Sequence, residues 1–388
     1  MRVMWCSNFS AQSAYASQSR LFVPKIAQSG HPVTVFELSS GVARPYDWQG
    51  IPIIGVGQDA LGNDMIKDYV AQHQIDAVIT LVDVWRFNVD VWRDVPFFPW
   101  TPIDHHPIPP HVMPPMKAAR RVIAMSKFGR DEMIASNLNP LYCPLAFDPE
   151  IFHPRDNSKR GEIRRALNIG DDTFLACFVG VNDSTPNRKG IPEMLMAWKL
   201  FVQEHPNSVL YLHTLIHGNL PMNSIGGVKI DTLVAELSIP GHSLRIVDQH
   251  RYKAGIISQS EVADIMGASD VQVLLSRGEG FGVPLVEAQA VGTPVLTTRF
   301  AAQQELVQAG WLVDYESEWG WQDAVVAKAG VMDAVEKFEM AYNARGNMAL
   351  RKAAAAGIQG YAIDTVMRTH MLPTLDRIAE NVIERLAA

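Results

Sequence analysis

The chain has 388 residues, 47% hydrophobic and 19% charged, which is enough apolar content for two packed cores and too patterned for a long disordered protein. A net charge of -7 with an isoelectric point near 5.9 excludes bulk attraction to nucleic acid or anionic lipid. The three cysteines, Cys6, Cys143 and Cys177, are scattered without metal-ligand spacing, the chain opens on a strand-like segment rather than a targeting sequence, and no apolar run reaches membrane-spanning length. The expectation is a reduced cytoplasmic protein, peripheral to a membrane if it meets one at all.

In chain order, short apolar runs at 3–6, 33–36, 51–54, 77–81 and 122–124 read as buried strands, with helical stretches at 19–27, 64–72 and 129–136 among them. Such alternation predicts a parallel α/β sheet. The first strand runs into Ser7-Asn-Phe-Ser-Ala-Gln-Ser-Ala-Tyr15-Ala-Ser-Gln18, a loop of small residues without glycine. Asp83 lies at another strand end, where it either faces a ligand or caps the next segment. After the strand near 100 comes Trp100-Thr-Pro-Ile-Asp104-His105-His106-Pro107-Ile-Pro-Pro110, whose prolines forbid helix and hold the polar residues on a stiff loop. Ser126-Lys127-Phe-Gly129 starts a helix. A proline-bearing segment at 144–157 marks a hinge between two domains.

A second α/β series follows, with strands at 174–179, 209–214, 244–247, 271–275, 294–298 and 310–313. Phe178-Val-Gly-Val-Asn-Asp-Ser-Thr-Pro-Asn-Arg188-Lys189-Gly190 places two cations where a strand ends and a helix begins. Open α/β sheets bind ligands there, and paired cations suit a departing diphosphate. The sharpest signal is Arg277-Gly-Glu279-Gly-Phe-Gly-Val-Pro-Leu-Val-Glu287: strand, glycine turn, helix start, with two carboxylates eight residues apart. Unpaired N–H groups and the positive dipole end favour an oxygen-rich ligand there, and Gly280 and Gly282 permit close approach. Glu279 in the turn suits sugar hydroxyls, and Glu287, about two turns in, suits a ribose diol. A last helix spans about 371–386.

The 277–287 segment resembles the Glu-x7-Glu signature of retaining, nucleotide-sugar-dependent glycosyltransferases of the GT-B fold, family four type, and the resemblance covers nearly the whole chain. It implies an α/β protein of two Rossmann-like domains with parallel sheets facing a central cleft. The N-terminal acceptor domain takes residues 1–150 and is completed by helix 365–388; the donor domain takes 158–364. The implied activity is transfer of a hexose from a nucleoside-diphosphate sugar, UDP or GDP, to an acceptor hydroxyl, with retention and without a metal or other cofactor. By the same resemblance His105 or His106 and Glu279 act at the sugar; Arg188, Lys189, Gly280, Phe281, Gly282, Val283, Leu285 and Glu287 hold the donor; and Tyr15, Gln18, Asp83, Asp104 and Lys127 face the acceptor. Two departures stand out. Val181 occupies the place of an expected strand-end Arg, for which Arg188 is the stand-in, and the first loop lacks the family's glycines. The acceptor class stays open among carbohydrate, lipid carrier, small molecule, protein and modified nucleic acid. The alternative function is a non-catalytic nucleotide-sugar-binding relative acting in assembly. A nicotinamide oxidoreductase is disfavoured by the absence of Gly-x-Gly-x-x-Gly after the first strand.

Overall fold

The computed structural model describes residues 1–38, 45–55, 57–218, 226–320 and 322–386. The chain forms two compact units, one of Met1–Ala146, Gly320–Ala324 and Tyr361–Ala388, the other of Phe147–Trp319 and Val325–Gly360. Residues 387 and 388, included in the expected terminal helix, lie outside the described residues.

The first unit is built on an eight-stranded sheet: β1 (Val3–Ser7), β2 (Val33–Glu37), β3 (Tyr46–Trp48), β4 (Ile51–Gly55), β5 (Ala77–Leu81), β6 (Phe97–Thr101), β7 (Ile123–Ala124) and β8 (Leu141–Tyr142). Its order is β3-β4-β2-β1-β5-β6-β7-β8, parallel apart from the antiparallel edge pair β3–β4. Every residue of β1, β5 and β6 is buried, as expected for strands covered on both faces. Trp5 and Phe22 meet Trp100 edge-on at 6.0 and 5.0 Å, and the two indole N–H groups are satisfied by Ser19 Oγ (2.9 Å) and Cys143 O (2.8 Å). Chain order reverses between β1 and β5. The loops after these two strands therefore flank a topological switch point.

The second unit carries β9 (Phe174–Val179), β10 (Ser208–His213), β11 (Leu244–Ile246), β12 (Val271–Leu274), β13 (Val295–Thr298) and β14 (Gly310–Val313), in the order β11-β10-β9-β12-β13-β14 and wholly parallel. Here the reversal falls between β9 and β12. Helix Ile191–Glu204 buries Met194, Leu195, Trp198, Phe201 and Val202 at helical spacing, and Trp198 and Phe201 pack on Phe338 at 5.5 and 5.4 Å. A separate two-stranded sheet, β15 (Tyr315–Gly320) and β16 (Ala324–Ala329), follows β14.

Several sequence expectations shift. The first helix begins at Ala14, because Ser13 caps it by accepting from Ala16 N at 3.2 Å, and it runs through Pro24 to Gln28. A helix spans Asn157–Ala166 directly after the proline-bearing segment, capped by Asp156, so the last residue of the expected hinge is already helical. The terminal helix Leu372–Leu386 groups with the first unit, burying Leu375 and Ile378, and a π-helical turn, Met367–Met371, precedes it.

Candidate functional site

In the second unit the loops after β9 and β12 converge at the switch point. The loop after β9 is fixed by Asn182, fully buried at the position following Val181. Its Nδ2 donates to Leu215 O (2.9 Å) and Val228 O (2.7 Å), while Oδ1 accepts from Val228 N (2.8 Å) and Asn187 Nδ2 (3.0 Å). Gly190 ends the loop with φ of 64° and caps helix Ile191–Glu204. A Cβ there would lie 1.9 Å from Leu275 O, so no other residue fits.

This framework holds Lys189, 7% exposed, in an ion pair with Glu279, itself 7% exposed and at the end of β12. Ser276 Oγ donates to the same carboxylate oxygen at 2.5 Å, and Arg188 Nη1 lies 4.0 Å from the other. Burial by itself pushes the Glu279 carboxyl up, but Lys189, Arg188 and the two hydrogen bonds outweigh it and hold the group below its ordinary range. Glu279 is therefore a carboxylate. Arg188 is half-exposed and lies 3.3 Å from Asp183 Oδ1, so it faces the same place as Lys189 from the solvent side.

Gly282, φ 112°, caps helix Val283–Ala290 and turns the chain from Glu279 into it. Phe281, Val283 and Leu285, expected as donor ligands, have side chains buried at 2%, 8% and 0% exposure. Their side chains pack in the core, and the main-chain groups of this turn, with Gly280, are available to meet a ligand. Glu287 is half-buried on the same helix. Its carboxyl makes no hydrogen bond or ion pair with the described residues, and burial pushes its pKa up to about 8.

Arg277, named in the sequence only as the first letter of the motif, proves to be structural. It is buried, donates to Glu193 Oε1 at 2.9 Å and to Glu318, and its main chain bonds Arg188 O (2.8 Å) and Ala327 N (2.8 Å). Gln303 Nε2, also buried, holds Ser276 O at 2.8 Å. An arginine between a buried strand and a glycine was the one available hint; its partners come from 84 and 41 residues away. Along the neighbouring strand His213 is buried between Tyr211 and Tyr252, and burial lowers its pKa to about 4, so it is neutral. After β11, Asp248 caps helix Gln249–Ala254 by accepting from His250 N and Arg251 N, both at 2.9 Å.

In the first unit the residues expected to act sit on the loops and helix starts that follow β1, β5, β6 and β7. The first loop is tied down by Ser10, which donates to buried Glu37 through N (2.7 Å) and Oγ (2.6 Å); Glu37 had drawn no attention in the sequence. Tyr15 packs half-buried against the apolar core. Gln18, expected to meet an acceptor, is 3% exposed. Both ends of its amide are engaged by Ala146, at 2.7 and 2.9 Å, so it braces the chain instead. Asp83 precedes the turn Val84–Arg86 without capping it.

The two histidines separate clearly. His105 is buried and its Nδ1 lies 2.5 Å from Asp104 Oδ1, which orients the ring and leaves Nε2 without a hydrogen bond to the described residues. His106 is exposed and pairs through Nδ1 with Glu132 at 2.8 Å. Lys127 is the first residue of helix Lys127–Ala135, whose cap Ser126 accepts from Gly129 N at 3.0 Å.

Among the described residues, no three of His, Cys, Asp and Glu cluster as a metal site, and no helix is long and apolar enough to cross a membrane. All three cysteines are free thiols, buried, with pKa values pushed up by that burial.

Residues 173–328 match the family model described as "Glycosyl transferases group 1". The chain is 30% identical over 182 residues to D-inositol 3-phosphate glycosyltransferase of Corynebacterium urealyticum, covering 46% of this chain and 40% of that protein. It is 26% identical over 159 residues to mannosylfructose-phosphate synthase of Agrobacterium fabrum, covering 40% and 31%. The chain thus spans well under half the length of these curated relatives. Whole-chain likeness is found among solved structures: sucrose-phosphate synthase from Thermosynechococcus elongatus (TM-score 0.74, 18% identity, 97% and 98% of the two chains) and Anabaena HepE in complex with UDP-glucose (0.69, 14%, 99% and 100%).

Proposed function

We propose, from the GT-B fold of this chain and the match of residues 173–328 to the group 1 glycosyltransferase model, that it transfers a sugar from a nucleoside-diphosphate sugar to an acceptor hydroxyl. The observation that carries this reading is the buried Lys189–Glu279 ion pair where β9 and β12 diverge. It places a cation and a carboxylate in one small, rigid, poorly solvated volume. A diphosphate and a sugar ring need these two groups side by side.

In this reading Lys189, helped by Arg188, takes the diphosphate oxygens, which compete with Glu279 for it. Glu279 is then released to accept hydrogen bonds from hydroxyls of the transferred sugar. Glu287 accepts from the ribose diol, and the main chain at Gly280 and Gly282 lies against the donor. His105, oriented by Asp104, is the histidine that meets the sugar. Gly190, Asn182 and Arg277 keep the two loops in register. Residues 144–157 are proposed as the hinge between the acceptor and donor domains.

Transfer with retention requires no protein nucleophile. The bond from the anomeric carbon to the diphosphate oxygen breaks, its electron pair leaving with the diphosphate. The acceptor oxygen bonds the same face, and its proton passes to the departing phosphate oxygen. Lys189 and Arg188 supply the positive charge that stabilises the leaving group, the task a metal ion would otherwise have, so the reaction is proposed to be metal-independent. UDP-sugars are the first donors to test, given that HepE is described in complex with UDP-glucose. The buried, unpaired thiols suit a reducing compartment, and the cytoplasm is the proposed location.

The test is titration of the purified protein with UDP-, GDP- and ADP-sugars by calorimetry, followed by assay of diphosphate release. One donor class is expected to bind and to be cleaved, with Glu279→Gln abolishing turnover and Lys189→Met weakening diphosphate binding at least tenfold. Absence of binding across the whole panel would sink the reading.

A further inference from the structure

At the opposite end of the first sheet from the loops bearing Asp83 and His105, a cavity of about 320 Å³ lies between the strand starts and the terminal helix. Its apolar wall is Ile75, just ahead of β5, Pro96 and Phe98 where β6 begins, and Val382 of helix Leu372–Leu386. That helix buries Leu375 and Ile378. Val382 continues the same stripe one turn on, yet stays half-buried, because the cavity rather than packed side chains lies under it.

Two opposite charges share the wall. Asp76 is pinned by the main chain of Arg2: its N–H donates to Arg2 O at 3.0 Å, and its Oδ2 accepts from Arg2 N at 2.6 Å. Arg120 is anchored through its own N–H, which donates to Phe97 O at 2.8 Å, while its half-buried guanidinium makes no hydrogen bond or ion pair with the described residues. The neighbouring arginines are engaged elsewhere, Arg2 with the Gln74 side chain and Arg121 with Asn139 at 3.0 and 3.3 Å. Asp76 and Arg120 thus line one cavity without pairing with each other, and the Asn381 amide joins them in the lining.

We propose that this cavity is a binding site for a small zwitterion with an apolar body, the simplest example being an α-amino acid with a branched or aromatic side chain. The ligand carboxylate takes the fork of N–H donors that Arg120 presents, its ammonium group donates to Asp76 and to the Asn381 oxygen, and its hydrocarbon part covers Ile75, Phe98 and Val382. An acid without the amine would bring a like charge to Asp76, and an amine without the acid would do the same to Arg120; a zwitterion satisfies both walls. The volume is at the lower end of ligand clefts, about 300–1,000 Å³, and suits a metabolite of this size. The site stands at the far end of β5 and β6 from the loops proposed to act in transfer, so it does not rest on the glycosyl-transfer reading.

The test is calorimetry on the full chain with L-leucine and L-phenylalanine, against isocaproate and hydrocinnamate, which lack the ammonium group, and isoamylamine and phenethylamine, which lack the carboxylate. At least one amino acid is expected to bind, and both of its truncated forms at least tenfold more weakly. Arg120→Gln and Asp76→Asn should each weaken binding at least tenfold, and Val382→Phe, which fills the cavity, should abolish it without lowering the melting temperature. Absence of binding by either amino acid, truncated forms that bind as well as the parent, or an affinity indifferent to any of the three substitutions would overturn the proposal. UDP titrated into the same preparation reads the donor site separately, so failure of one binding event refutes one reading and leaves the other standing.

Discussion

Lys189 and Glu279 share one fate, since each is buried with the other as its principal counter-charge. Removing either leaves an uncompensated buried ion, which typically costs about 3–5 kcal/mol. Lys189→Met is therefore expected to destabilise the protein by that order, and Lys189→Met with Glu279→Gln by clearly less than the sum. A double-mutant cycle from urea denaturation measures the coupling, and simple additivity would contradict the pairing. Glu287 behaves oppositely, as a buried carboxyl without a partner. Its pKa lies near 8 in the folded protein against an ordinary 4.5, so folding favours its protonated form. Its contribution to stability is full below about pH 4.5 and is lost as pH rises toward 8. Glu287→Gln cannot ionise. The melting temperature of the ligand-free variant should gain on wild type steadily between pH 4.5 and 8.5, and a gap independent of pH would refute the buried acid. If Glu287 accepts from a ribose diol, UDP affinity should also rise with pH up to about 8 in wild type and stay flat, and weaker, in the variant.

At the scale of elements, the site depends on two turns that admit only glycine conformations. Gly190→Ala places a methyl against Leu275 O at a positive φ, and strain of this kind together with overpacking costs about 2–4 kcal/mol. A denaturation midpoint close to wild type would show that the loop after β9 is free to shift. What was legible in the sequence follows from what is local. The strand–turn–helix at 271–290 could be read because a buried strand, glycines and helix formers lie consecutively in the chain, and so could the proline-stiffened loop bearing His105. The roles of Gln18 and Arg277 could not. Gln18 is satisfied by Ala146, 128 residues away, and Arg277 by Glu193 and Glu318, so both look like available polar residues until the chain is folded. The burial of the Phe281, Val283 and Leu285 side chains was illegible for a related reason. A motif marks where a backbone turns, and side-chain burial there is decided by the sheet beneath it. The β15–β16 pair was missed because exposed Glu316, Ser317 and Trp319 interrupt any apolar alternation.

At the scale of the molecule, each unit is a parallel sheet whose chain order reverses near its centre, between β1 and β5 in one and between β9 and β12 in the other. In both, the chemistry-bearing loops leave the two strands flanking that reversal or their neighbour. This is the expected consequence of strand ends parting in opposite directions, which opens a crevice lined by loop main chain. The sheet order thus explains why His105 arises on such a loop in one unit and the Lys189–Glu279 pair in the other. The proposed mechanism assigns the leaving-group charge to Lys189 and Arg188 and the proton to the departing diphosphate, with no metal and no covalent glycosyl-enzyme. The most direct test is the anomeric configuration of the first product formed from an α-linked nucleotide sugar, followed by proton NMR in the presence of EDTA. The account predicts an α product at a rate unaffected by EDTA; a β product, or turnover that stops in EDTA and returns with a divalent cation, would contradict it.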